Sequence, residues 1–449
     1  MQSLCGFDKI ELLGGAVRFT PFWFFLDCVA FIHFFGSWFY SIRKTGWKID
    51  FFYLTLLQSF VVPVLCIYPF NASMQNTFAI TKNPFLQADP YIDQAFAIIF
   101  FGYVGVWVGI YLTYVAEIKR FCHRFFTLFR PLEHCIVKNI LSKKCIYSLF
   151  FICLVFTLLI TVLSNLNHFF LRPRVFFQMN EKIRPIYNFT ISLAPMLLLF
   201  LSARYLQLRE KWCKFFLIIT CLMSVCYGIR SVLIHSLLFY CTSSIFKNKG
   251  QLKVLRGCII LFILIFLALE LEKIREGIPI FHSSFGIFSS LVYGNHFSDT
   301  RDFAWVLANW DHEYLLGLGY LANIFSFIPS AFLPFRQEYS LANYTSNLIC
   351  LDLSIHNGVR SGFFGQVFFN FGLTGVFLSG LICGMTLQFS NQKFKESILE
   401  NDNIIEAYSK TVPYFCVTSI LFSHMYWIFY VFILINVALS LLRRFRACR

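Results

Sequence analysis

Charge is what this sequence has least of. Only 14% of its 449 residues are charged, against about 25% in a typical soluble domain. Acids are the scarcer sign, with 23 Asp+Glu facing 38 Lys+Arg. A chain of this length could make two or three soluble domains, but this one has too little polar surface to cover them. A soluble enzyme, a disordered scaffold and a coiled coil are excluded on that ground. CxxC pairs are missing as well. About half of the 16 cysteines lie inside apolar runs, where they behave as small hydrophobes, and the longest polar stretch holds only Cys350. Neither a disulfide framework nor a zinc site is therefore expected. No cleavable signal stands out, because residues 1–20 are mixed in polarity. Neither a tandem repeat nor the inverted repeat of many secondary transporters is visible.

What fills the chain instead is apolar: 58% hydrophobic residues, 20% aromatics and 59 phenylalanines. A helix needs roughly 20 apolar residues to cross a bilayer. Such runs fall near 22–40, 51–70, 95–115, 146–164, 187–202, 215–227, 231–246, 257–269 and 365–389. The last run, 412–442, exceeds what tilt usually absorbs and reads as two helices broken near Ser423 and His424. The expected fold is all-α, a polytopic transmembrane helical bundle of about 11 spans.

Lys and Arg collect in inside loops. Taking 41–50, 116–145, 203–214, 247–256, 390–411 and the tail after 442 as inside places 25 of the 38 bases there. This register puts the C-terminus inside and the N-terminus outside. Most of the +15 charge then holds topology, and no nucleic-acid partner is expected. The densest inside loop, 117–145, admits a lipid-headgroup reading beside simple anchoring. One stretch outside, about 272–364, keeps Trp305, Trp310, Phe325 and Phe332 among polar residues, so it should fold against the membrane face. Loops of that length are usually functional. The chain thus divides into N-terminal transmembrane helices (1–271), a large, partly structured outer loop (272–364) and C-terminal transmembrane helices (365–449).

Charges deep in spans are scarce. Asp27 and His33 lie about 120° apart around the first span and read as buried hydrogen-bonding groups rather than a proton relay. Gly105 with Gly109, and Gly380 with Gly384, have the GxxxG spacing of close helix packing. Arginines at the outer face are more telling, because positive-inside sorting disfavours them there. They are Arg172 and Arg174 in a short loop, Arg230 between two short spans, and Arg301, Arg336 and Arg360 in the long loop. Guanidinium groups match phosphate oxygens bidentately, which points to an anionic, diphosphate-bearing substrate. The other reading is ion pairing with Asp299, Asp302, Asp311 and Glu313, for which Arg301 beside Asp302 is the prime case. The loop ends in a run from His356 to Gln366 containing Gly358, Gly362 and Gly365. Glycine lets a backbone turn tightly against a ligand, histidine is suited to proton transfer near neutral pH, and Arg360 can hold charge. A glycine-rich helix entry is the plain alternative.

The run Tyr293–Gly294–Asn295–His296–Phe297–Ser298–Asp299–Thr300–Arg301–Asp302–Phe303 resembles a loop motif of Wzy-type O-antigen polymerases. Leu318–Gly319–Tyr320, Phe327–Ile328–Pro329 and Pro334–Phe335–Arg336 are similar to that family too. Gly358–Val359–Arg360–Ser361–Gly362, Gly365–Gln366 and Asn370–Phe371–Gly372–Leu373–Thr374–Gly375 follow its G-x-R-x-G…GE…NFG-x-x-G signature, and Gly228–Ile229–Arg230 its earlier G-x-R element. The resemblance covers roughly residues 225–385.

It implies an integral glycosyltransferase of the bacterial inner membrane whose long loop is periplasmic. Donor and acceptor are oligosaccharide repeat units on undecaprenyl diphosphate, joined with inversion and without metal or other cofactor. A chain-length regulator protein is a further partner. Arg230, Arg336 and Arg360 are the candidates for charge stabilisation at the diphosphate, with Arg172, Arg174 and Arg301 completing the binding set. His356 is the nearest base. Trp305 and Trp310 either stack on sugars or pack in the core. Where the family often has Glu, this chain has Gln366, so the base is His356, Asp299 or Asp302. Two other readings are an O-antigen ligase, moving glycan to lipid A core, and a flippase. The flippase reading predicts charges lining many spans and no elaborate loop.

Overall fold

Runs of apolar residues become four helices long and apolar enough to cross a membrane: α1 (Pro21–Thr45), α4 (Ile92–Leu112), α6 (Lys143–Leu163) and α13 (Gly362–Asn401). The computed structural model describes residues 21–46, 50–71, 91–127, 129, 133, 142–163, 183–226, 298–325, 328, 332–350, 359, 361–401 and 403–422. All regular elements among the described residues are helical. The others are α2 (Phe51–Leu56), α3 (Tyr68–Asn71), α5 (Ala116–Thr127), α7 (Arg184–Leu208), α8 (Lys211–Cys226) and α9 (Asp299–Ala308). They continue with α10 (Leu318–Ile324), α11 (Pro334–Tyr339), α12 (Leu341–Leu348), α14 (Ile404–Ser409) and α15 (Val412–Leu421). The runs expected at 231–246 and 257–269, and the second half of 412–442, lie outside the described residues.

α1 and α6 leave most of their apolar surface uncovered, with Phe25, Ile32, Phe39, Val155 and Val162 all exposed, whereas α4 is mostly buried. Uncovered apolar flanks on that scale suit a hydrocarbon surrounding and would be a liability in water. The run at 51–70 is not one α-helix. α2 leads into a π-helix over Leu57–Leu65, with Pro63 inside it, and the wider turn closes through Cys66 N–H donating to Val61 O at 2.8 Å. Proline has no N–H for an α-helical bond, and a π-turn is one way to absorb its insertion.

The glycine spacings do the packing expected of them. A Cβ on Gly105 would stand 2.5 Å from Phe377 O, one on Gly109 would overlap Leu381 O, and those on Gly380 and Gly384 would overlap Gly102 O and Val106 O. The backbones of α4 and α13 therefore touch along two interlocked GxxxG faces. Around them, α1, α2, the π-helix and α9 complete the main core, in which Phe34, Phe96, Phe303, Phe369 and Phe394 are fully buried. A second core joins α6, α7 and α8 around Ile146, Phe150, Leu197 and Leu201.

Two clamps fix the ends of helices. Asp50 caps α2 by accepting from Tyr53 N–H at 2.9 Å and pairs with Lys395 of α13 at 2.7 Å. Glu210, at the turn between α7 and α8, accepts from Arg204 at 2.9 Å and from Tyr147 of α6 at 3.0 Å, with Lys143 3.9 Å away. The Arg204 hydrogen bond holds the Glu210 carboxyl below its usual range, against the opposing effect of partial burial. A carboxylate so depressed stabilises the fold above its unfolded pKa of about 4.3 and loses that contribution as pH falls through its folded value. Glu210→Gln is therefore expected to lower the unfolding temperature of the detergent-solubilised chain at pH 7. The gap to wild type should close toward pH 3, and a gap independent of pH would contradict this role.

Candidate functional site

α9 begins the first half of the motif region. Ser298 O accepts from Asp302 N–H at 2.7 Å, and Ser298 Oγ donates to Asp302 Oδ2 at 2.7 Å, so the first turn is tied across its own entry. Asp299 and Asp302 both lie in that turn, where carboxylates favour the helix dipole. Every residue from Thr300 to Leu307 is buried, because α9 sinks between α4, the π-helix and α13. A membrane-face loop helix thus becomes part of the bundle.

Burial decides the state of the charges on α9. Arg301 is 3% exposed, and its Nη2 stands 3.6 Å from Asp302 Oδ1, the ion pair that its sequence position suggested. Desolvation pushes the Arg301 guanidinium down from its ordinary value, partly offset by Asp302. A guanidinium starts so high that it stays charged at neutral pH. Trp305, also on α9, is 6% exposed inside the main core, with no open ring face for a sugar in this conformation.

The second half of the motif region meets α9 at the start of α13. A Cβ on Gly362 would lie 3.5 Å from Asp299 Cβ and 4.0 Å from its Oδ2, and one on Gly365 would lie 3.1 Å from Phe303. Gly362 has φ +66°, the left-handed region in which glycine costs least. Just before it, Thr345 of α12 lies 3.2 Å from Val359 O and accepts from Val359 N–H at 3.4 Å. Val359 is thereby fixed against α12. Residues about sixty apart in sequence thus form one junction: Asp299 and Phe303 on one side, Gly362 and Gly365 on the other.

Among the buried polar atoms without a hydrogen-bond partner among the described residues are Ser361 Oγ at the junction, Thr300 Oγ1 on α9, Ser346 Oγ on α12 and Gln366 Nε2 on α13. An unsatisfied buried polar group costs about 1–3 kcal/mol, and native structures rarely carry several together without a reason. The residue types gave no hint of this grouping, because Ser, Thr and Gln read as ordinary loop polarity.

Beyond the junction, α13 breaks. Its forty residues would run about 60 Å unbroken, twice a bilayer core, but Gly372 takes φ 65°, ψ −162°, a conformation open essentially to glycine alone. The break frees Phe369 O from its helical partner, and Leu315 N–H donates to it at 2.8 Å. Asn370 steadies the same point, its Nδ2 donating to Gln366 O at 2.9 Å and its Oδ1 accepting from Gly319 N–H at 3.3 Å. The N-F-G run is therefore a docking kink for the loop. Gly372→Ala, which also sets a methyl 3.3 Å from the Tyr314 ring, is expected to cost about 1–3 kcal/mol. A thermal-unfolding midpoint equal to wild type would contradict that.

Arg336, on α11, is half-buried and donates through Nη1 to Ile328 O. α11 packs on α10 and α12. His356, Arg360, Arg172, Arg174 and Arg230 lie outside the described residues. Asp27 and His33 occupy different surroundings: Asp27 is buried, and His33 is exposed with its ring 4.4 Å from that of Trp107.

One expectation needs correcting. Cys350, the lone cysteine of the polar loop, is disulfide-bonded, to a partner outside the described side chains. A cysteine count within one loop says nothing of a partner brought in by the fold.

Searches against family models, curated proteins and solved structures match nothing to this chain.

Proposed function

We propose that the chain is a glycosyltransferase of the bacterial inner membrane that polymerises undecaprenyl-diphosphate-linked oligosaccharide repeat units at the periplasmic face. One observation carries the reading. The two separated motif halves that resemble O-antigen polymerases, around Asp299–Phe303 and Val359–Gln366, meet where Gly362 lies against Asp299 and Gly365 against Phe303, and Thr300, Ser361 and Gln366 of these halves carry buried polar atoms without partners among the described residues. The disulfide at Cys350 supports an outer, oxidising side for the loop. Arg43 and Lys44 in the last turn of α1 support an inner side for the opposite end.

In this reading an acceptor sugar hydroxyl attacks the anomeric carbon of the donor from the face opposite the diphosphate. The new C–O bond forms as the bond to the diphosphate oxygen breaks, which inverts the centre. The hydroxyl proton passes to His356 or Asp299. Negative charge growing on undecaprenyl diphosphate is met by guanidinium groups, with Arg360, Arg230 and Arg336 as the first candidates and Arg172 and Arg174 as further ones; such preorganised charge is usually the largest catalytic contribution. Asp302, already engaged with Ser298 and Arg301, orients α9 instead of taking the proton.

Deletion in a producing strain, followed by separation of lipopolysaccharide by length, tests the reading. Loss of a polymerase leaves core carrying a single repeat unit, whereas loss of a ligase leaves bare core and carrier-linked polymer. An unchanged ladder would remove the polymerase proposal.

A further inference from the structure

α5 follows α4 after only three residues, Thr113–Val115, so it starts at the depth where a membrane-crossing helix ends. Its inner face is settled: Cys122 and Phe126 are buried against Phe389 of α13, with Ile118 and Phe125 packed beside them. The rest is uncovered. Phe121 is 63% exposed, and Lys119, Arg120 and Arg124 are exposed and form no ion pair with any described residue. At 100° per residue, Arg120 and Arg124 stand about 40° apart on the side away from Cys122, and Phe121 about 60° from Arg124.

We infer that α5 is a membrane-surface helix that binds anionic phospholipid headgroups, Phe121 entering the acyl boundary and Arg120 and Arg124 meeting the phosphates. An amphipathic helix with an aromatic on its apolar flank and bases on its polar face is built to lie in the interface plane. Simple topology anchoring needs only that the bases be on the inner side. It does not call for an exposed Phe121 beside them, or for a folded helix that turns two arginines the same way. A soluble acidic partner fits less well, because α5 is tethered within three residues of the bilayer and its exposed phenylalanine needs apolar surroundings. The inference stands independently of the polymerase proposal.

The test uses the full chain in nanodiscs of phosphatidylcholine alone or mixed with phosphatidylglycerol. Hydrogen exchange of residues 116–127 should slow at least several-fold in the anionic discs, while α8, which also begins with exposed lysines, stays unchanged. In a parallel titration read by native mass spectrometry, phosphatidylglycerol should bind more tightly than phosphatidylcholine by about 25-fold, from about five-fold for each of the two arginines. Arg120→Glu with Arg124→Glu should bring that ratio to parity, and the charge-matched pair Lys211→Glu with Lys214→Glu should keep it. Equal exchange in both discs, binding of free inorganic phosphate that competes fully with the lipid, or equal loss of preference in both double variants would overturn the inference. The exchange measurement on the unaltered chain decides the matter even where a charge-reversed variant fails to insert.

Discussion

Gly109→Leu is expected to remove the folded chain from the membrane fraction, and Gly384→Leu to do the same. A Cβ at either position overlaps a backbone carbonyl of the facing helix, Leu381 O for one and Val106 O for the other. Side chains can rotate away from a clash, but a carbonyl inside a helix cannot move without the helix. Ordinary overpacking costs about 1–3 kcal/mol. Here α4 and α13 would have to separate along their whole contact, so the cost should exceed that range and approach the stability of a typical domain, about 5–15 kcal/mol. Gly36 is the internal control. It lies in α1 with nothing within 4 Å of its Cβ position, so Gly36→Ala should stabilise by about 0.5–1 kcal/mol through helix propensity. Membrane-fraction abundance and thermal unfolding in detergent read both effects. Wild-type abundance for Gly109→Leu would mean that α4 and α13 do not touch through their glycines.

Asp299→Ala is expected to abolish polymer formation, a loss of at least 100-fold if Asp299 takes or positions the transferred proton, with the protein still in the membrane. Its half-buried side chain lies against Gly362, which follows Arg360–Ser361 in the sequence. Arg360→Ala and His356→Ala should give the same phenotype. Asp311, exposed and accepting only a local hydrogen bond from Glu313 N–H at 3.1 Å, is the comparison: Asp311→Ala should leave the ladder at wild-type length. The measurement is lipopolysaccharide length in a deletion strain carrying each variant at matched membrane levels. A full ladder from Asp299→Ala would take that residue out of the reaction.

How far the sequence foretold these features depends on the kind of signal each one leaves. Hydropathy found the helices at 21–45, 92–112 and 143–163 within a few residues, because membrane insertion is driven by the same apolar length that the eye reads. GxxxG spacing found the α4–α13 contact, because glycine has no other common reason to recur every four residues on an apolar helix. Backbone breaks inside apolar runs were not legible. Neither the π-helix at 57–65 nor the kink at Gly372 changes the hydropathy around it. At Gly372 the deciding contacts come from Leu315, Gly319 and Tyr314, more than fifty residues earlier. The depth of α9 was hidden for the same reason: Asp299, Arg301 and Asp302 read as charges of an outer loop, whereas α9 is buried against α4 and α13. Gly365, read as a point of close ligand approach, instead makes room for Ser361 and Phe303.

Whether the proposed polymerase joins repeat units on a lipid carrier is read by reconstituting the purified chain in proteoliposomes with the producing strain's own repeat unit on undecaprenyl diphosphate, and with lipid A core present as a competing acceptor. The expected products are carrier-linked chains of two and more repeats with one undecaprenyl diphosphate released per bond formed, and neither product with Asp299→Ala or Arg360→Ala. Transfer to lipid A core alone, or no transfer by a chain that is folded in the vesicles, would contradict the polymerase proposal.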